Sequence, residues 1–186
     1  MISLIGNRPA LQIGHLQVID YDTHCIDIAL RRAAQAADQC DFPFFDDIHR
    51  GVVQYLESRC PLKLMHLDEL YDRIRRMLQK IGCDRIAAQL RPLAPPVSLS
   101  LVELANQADN GFELVFFSKL RDEICALRRA GAEDIHFSGL RECAMILRGA
   151  RQWNQRCQQL QDEIEAFIAK WLKVDANASS MANLAV

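Results

Sequence analysis

The chain has 186 residues, 50% of them hydrophobic, and a formal net charge of −2 at pH 7. That length suits one domain or two small ones, with enough apolar content for a core in either case. The near-neutral balance argues against a general binder of nucleic acid or of membrane surfaces, which needs a basic excess to meet phosphates.

No run of about 18 apolar residues occurs, so no membrane-spanning helix is expected. Residues 1–6 lack the charged region and apolar core of a signal peptide, and the expected address is the cytoplasm. The seven cysteines, Cys25, Cys40, Cys60, Cys83, Cys125, Cys143 and Cys157, include no C-x-x-C pair. The five histidines are scattered as well, so no metal site is expected. Free buried thiols in a reducing compartment fit this spacing.

In chain order, Asn7-Arg8-Pro9 punctuates a short lead-in. Leu11, Ile13, Val18, Ile19 and Tyr21 supply two strands around Gly14-His15. Asp22 or Thr23 can cap the helix that follows. Ile26, Ala29, Leu30, Ala33 and Ala37 form its apolar stripe, with Asp27, Arg31 and Gln35 opposite. Residues 38–45 form a loop whose rings, Phe42, Phe44 and Phe45, are expected to plug a core edge. Asp46 or Asp47 starts a second helix lined by Ile48, Val52, Tyr55 and Leu56, stopped by Arg59-Cys60-Pro61. Residues 63–66 read as a short extended segment. Asp68 then opens a third helix with Leu70, Ile74, Met77 and Leu78 inward, closed by a left-handed cap at Gly82. A fourth helical piece covers 85–91.

Pro92-Leu93-Ala94-Pro95-Pro96 marks a boundary, because three prolines in five residues favour an extended spacer. Beyond it, Val97, Leu99, Leu101 and Val102 read as a strand, Asp109-Asn110-Gly111 as a turn and 112–117 as a second strand. Ser118 then caps a helix to Arg129, ended by Gly131, and 134–137 read as a third strand. Residues 139–173 keep helical spacing, with a break expected at Gly149. So long a helix is expected to pack partly on the first unit or on another subunit. The Ala/Asn/Ser-rich 175–186 read as an unstructured tail. The fold class is therefore α+β. A small β-hairpin and helical domain spans 10–91, and a small α/β unit ending in a long C-terminal helix spans 96–174.

The first unit resembles the ATP-cone, the regulatory nucleotide-binding domain of ribonucleotide reductases and of their transcriptional repressor. Tyr21-Asp22 stands at the family's Phe-Asp step, Cys25-Ile26 at its Lys-Ile step, and Ala29 and Ala33 at its small positions. Asp68-Glu69-Leu70-Tyr71-Asp72 and 82–91 continue the likeness, which covers about 10–91. The resemblance implies a regulatory role and ATP or dATP as ligand, for which His15, Arg31, Arg32 and Tyr71 are the candidate contacts. The sequence departs from the family where charge meets phosphate. Ile13-Gly14-His15-Leu16 replaces the basic strand turn, and Cys25 replaces the lysine heading the first helix. A triphosphate needs cationic partners that these residues do not supply.

Three functions follow as expectations. The first is a non-catalytic regulatory or interaction protein on a degenerate ATP-cone, self-associating or binding a protein partner through the C-terminal helix with Trp153, Phe167 and Trp171. The second is a regulator that still binds nucleotide through altered contacts. The third is a small enzyme centred on the second unit, with Cys143 and His136, or Glu142 and Arg141, near Ser138-Gly139. There, Ser138 reads better as a helix cap and Cys143 as part of an apolar stripe. The basic residues Arg31 and Arg32 of the first helix and Arg73, Arg75, Arg76 and Lys80 of the third read as a solvated face interleaved with Glu69 and Asp72; a phosphate site built on them would be displaced from the family's.

Overall fold

The computed structural model describes residues 8–39, 42–108 and 113–182, with 174–182 described as backbone only. Two units divide the chain: the described residues of Met1–Val97 with Arg129–Asp134, and those of Ser98–Arg128 with Ile135–Val186.

In the first unit, β1 (Ala10–Ile13) buries Leu11 and Ile13 and leaves Ala10 and Gln12 half-buried, as strand alternation requires. The two-residue turn Gly14-His15 leads to β2 (Leu16–Val18), antiparallel to β1 with Leu11 opposite Val18 and Ile13 opposite Leu16. A third strand, β3 (Leu64–His66), lies parallel along the other edge of β1, with Leu11 opposite Met65. The order is β2-β1-β3. Parallel neighbours need a long crossover, and α1 (His24–Ala36) and α2 (Phe45–Ser58) supply it.

Helix α1 buries Cys25, Ile26, Ala29, Leu30, Ala33 and Ala34 on one stripe. At its start the Asp22 carboxylate accepts from the His24 amide at 2.9 Å. Thr23 occupies the cap position without a side-chain bond to the helix. Instead its hydroxyl and carbonyl meet His49 Nε2 at 3.2 and 3.1 Å, tying the start of α1 to α2. Helix α3 (Leu67–Lys80) buries Leu67, Leu70, Tyr71, Ile74 and Leu78. Beyond Gly82, α4 (Asp84–Gln89) packs on α1 and α3.

The proline run is packed rather than solvated: Leu93, Ala94 and Pro95 are buried. The Ala94 amide donates to the Gly131 carbonyl at 2.9 Å, and the Val97 amide donates to that of Asp134 at 3.1 Å. These bonds join Arg129–Asp134 to the first unit.

The second unit holds a two-stranded ribbon of β4 (Val97–Ser100) and β5 (Ile135–Ser138). Val97 itself is counted with the first unit. Four helices accompany the ribbon: α5 (Leu101–Asn106), α6 (Glu113–Arg129), α7 (Leu140–Leu147) and α8 (Gln155–Ala182). Three local expectations are corrected. Leu101 and Val102 open α5, capped by the Ser100 hydroxyl accepting from the Glu103 amide at 3.3 Å. Residues 113–117 are helix, not strand, so Ser118 lies inside α6 rather than capping it. Helical geometry puts Phe116 on one stripe with Leu120, Ile124 and Leu127, and that stripe outweighs the strand preference of the local apolar run. Ser138 ends β5, and Gly139, at φ 73°, takes the cap position of α7. The long helical stretch does break at Gly149, between α7 and α8. The backbone of α8 continues to Ala182, within the stretch read as a tail, while 183–186 lie outside the described residues. The expected turn at 109–111 also lies outside them. The class is α+β, as the sequence implies.

Candidate functional site

The four candidate nucleotide contacts are held in separate settings. His15 is exposed at the hairpin turn. Arg31 grips Asp27 at 2.9 Å and Asp46 at 3.0 Å, with its guanidinium 5.3 Å from the centre of the Phe45 ring. Arg32 pairs with Glu133 at 2.6 Å. Tyr71 is fully buried and donates its hydroxyl to the Leu93 carbonyl at 2.9 Å. A tyrosine so placed holds the chain after α4 against α3.

At the head of α1, Cys25 is buried, and burial pushes its thiol up to about 12, with the Asp22 charge adding to the effect. A neutral buried thiol offers a phosphate no charge, and its weak S–H donor is directed to the Asp22 carbonyl at 3.5 Å. The aromatic loop behaves as a core plug on one side only. Phe45 is buried and in edge contact with Phe42 at 5.2 Å, while Phe44 is 54% exposed.

In the second unit, Cys143 is buried in α7 and its thiol is likewise pushed up to about 12 by burial, a setting that suppresses the thiolate a nucleophile needs. His136 is exposed on β5, and Arg141 stacks 4.7 Å from the Trp153 ring centre. Along α8, Cys157, Leu160, Ile164 and Ile168 are buried. Phe167 lies between Phe117 of α6 and Trp171, with ring centres 4.9 and 6.1 Å away. The apolar stripe of α8 is thus largely used within its own unit.

Among the described residues no three His, Cys, Asp or Glu side chains are grouped to hold a metal ion, and no helix is long and apolar enough to cross a membrane.

The feature that gathers chemistry in one place is a cleft of about 400 Å³ between α2 and α3. Val52, Tyr55, Leu70, Ile74 and Met77 form its apolar lining. Arg73, Arg76 and Lys80 border it, and Gly51 leaves it open on the α2 side. Arg73 is committed: it pairs with Glu69 at 2.5 Å and donates to the Tyr55 hydroxyl, which swings it along the cleft wall. Arg76 and Lys80 are exposed and form no ion pair among the described residues. The basic residues of α3 therefore differ in role. Arg75 turns the other way, to the Leu90 carbonyl at 3.2 Å and to Asp72.

On sequence alone Arg73, Arg75, Arg76 and Lys80 belong to a solvated face and Gly51 has no part in a site. The available signal was a glycine in the middle of an amphipathic helix, where alanine would be more stable.

No protein-family model, no curated protein and no solved structure matches this chain.

Proposed function

We propose that the chain is a non-catalytic interaction protein whose first unit is an ATP-cone-like module without the family's triphosphate contacts. Its order of elements, two strands, two helices, a third strand and two helices, supports the likeness. The observation that carries the loss of ligand is Cys25, buried and neutral at the position of the helix-head lysine. Arg31 and Arg32 do not replace that lysine, since each is engaged with carboxylates of the chain. A triphosphate would have to displace Asp27, Asp46 and Glu133 to reach them.

The role left to such a module is to bind another protein. Self-association through α8 has less to draw on than its sequence implies, because its apolar stripe is occupied by its own unit. The function is tested by a thermal-shift panel of ATP, dATP and ADP, since a specific ligand of the folded state raises stability with its saturation. The expected result is no saturable shift above about 1 °C at millimolar nucleotide. A saturable rise of several degrees with ATP or dATP overturns the reading in favour of a regulator that binds nucleotide through altered contacts.

A further inference from the structure

Nothing in the chain's own packing explains why Gly51 is a glycine. It lies in the middle of α2 and is exposed, and a Cβ added there would meet nothing within 4 Å. Helix-interior glycine lowers stability relative to alanine, and its common use is to let another backbone or a ligand come close. The same glycine borders the cleft whose other side carries Arg76 and Lys80.

From this pairing of a bare helix face with two cations, Arg76 and Lys80, that form no ion pair among the described residues, we infer that the α2–α3 cleft takes one amphipathic helix of a protein partner, with apolar anchors inward and acidic side chains along α3. The inference rests on the interaction reading above and names its surface. Two parallel or antiparallel helices present a groove into which a third packs by its ridges, and the side chains at the contact set how near the axes come. A glycine at that contact permits the closest approach. Apolar side chains one turn apart on the incoming helix would enter over Tyr55 and Met77, the half-buried residues that stand above the buried Val52 and Ile74, in the usual mode of helix-in-groove recognition.

Charge selects the partner's chemistry. Arg73, Arg76 and Lys80 recur at i, i+3 and i+7, a row about 10 Å long on one edge of α3. With Arg73 held by Glu69, Arg76 and Lys80 stand one turn apart, the repeat at which carboxylates recur on a facing helix. A single phosphate or carboxylate headgroup is instead bound by donors converging on one point.

The test uses the full chain and a labelled helical peptide of about 16 residues with leucine on one stripe and glutamate flanking it. A second peptide has lysine at the glutamate positions. The acidic peptide is expected to bind with Kd at or below about 100 μM, and the basic one at least about tenfold more weakly. Gly51→Leu, and Arg76→Glu combined with Lys80→Glu, each weaken the acidic peptide by about tenfold or more, with circular dichroism confirming the fold. Gly51→Ala raises Tm while weakening binding; a glycine with no external contact would raise Tm and leave binding unchanged. No binding at about 1 mM, equal binding of the two peptides, or binding indifferent to these substitutions overturns the inference. Such a failure leaves the absence of a nucleotide response standing, whereas a response to ATP overturns the preceding reading whatever the peptides do.

Discussion

The first unit buries two phenols, Tyr21 and Tyr71, with the Cys25 thiol, among its aliphatic side chains. The second fills its interior with Phe116, Leu120, Ile124, Leu127, Leu160 and Ile164, together with the thiols of Cys143 and Cys157. Every tyrosine of the chain lies in the first unit and both tryptophans, Trp153 and Trp171, lie in the second. Polar anchors fix register in the first: Tyr71 pins Leu93, and Arg75 reaches the Leu90 carbonyl at 3.2 Å. The second has polar ties of its own, from Arg128 to the Leu172 carbonyl at 3.0 Å and from Arg148 to Glu113 at 2.7 Å, so the contrast lies in the buried phenols.

Alkaline pH separates the two regions most strongly. Burial raises Tyr21 from 10.0 to about 12 and Cys25 from 9.0 to about 12, and it moves Tyr71 upward as well. The second unit has Cys143, also raised to about 12. These groups are neutral when protonated, and the folded chain holds their protons to higher pH than the unfolded one. Their contribution to stability is therefore complete below the unfolded values of 9.0 and 10.0 and is lost as pH climbs toward about 12. Burial also moves the Cys83 thiol of the first unit upward, and four such groups against one predict that the first unit gives way first. Tyrosinate absorbance should rise in a cooperative step while tryptophan fluorescence still reports a folded second unit. Coincident steps would contradict the contrast.

A smaller difference is expected between two glycines with positive φ. Gly131 (φ 88°) and Gly139 (φ 73°) both adopt a conformation that strains an L-residue by about 1–2 kcal/mol. A Cβ at Gly131 would sit 2.6 Å from the Pro92 carbonyl oxygen, whereas one at Gly139 would sit 2.6 Å from Val102 Cγ2. Backbone cannot step aside, but a methyl can rotate away. Gly131→Ala should thus lower unfolding free energy by about 1–2 kcal/mol more than Gly139→Ala, read from urea denaturation. Equal losses would mean that the Pro92 strap yields as easily as a side chain.

The hairpin and α1 were legible because alternation, turn residues and the 3.6-residue stripe all agree between Leu11 and Ala33. They disagree from Leu114 to Phe117, where four consecutive apolar residues read as strand. In the helix that forms, Leu114 is 86% exposed and Phe116 fully buried. The longer repeat through Leu120, Ile124 and Leu127 was the better guide, since tertiary burial acts on the whole stripe. The cleft was not legible as a place. Arg76 and Lys80 are plain in the sequence, but nothing local says that Gly51 and Val52 stand across from them. Tyr71, a candidate ligand contact by its position in a motif, bonds the chain's own backbone.

The finest separation lies within the first unit, between its two buried phenols. Removing the Tyr71 hydroxyl leaves the Leu93 carbonyl without the 2.9 Å bond it accepts, and an unpaired buried acceptor costs about 1–3 kcal/mol. The Tyr21 hydroxyl is buried with no hydrogen-bond partner among the described residues, so its desolvation is uncompensated by them. Tyr71→Phe should therefore destabilise the chain by about 1–2 kcal/mol, while Tyr21→Phe should be neutral or slightly stabilising, both read from urea denaturation with the remaining tyrosines as probes. A comparable loss at Tyr21 would mean that its hydroxyl is served by an ordered water. Both buried phenols would then be hydrogen-bonded, and the contrast between them would vanish.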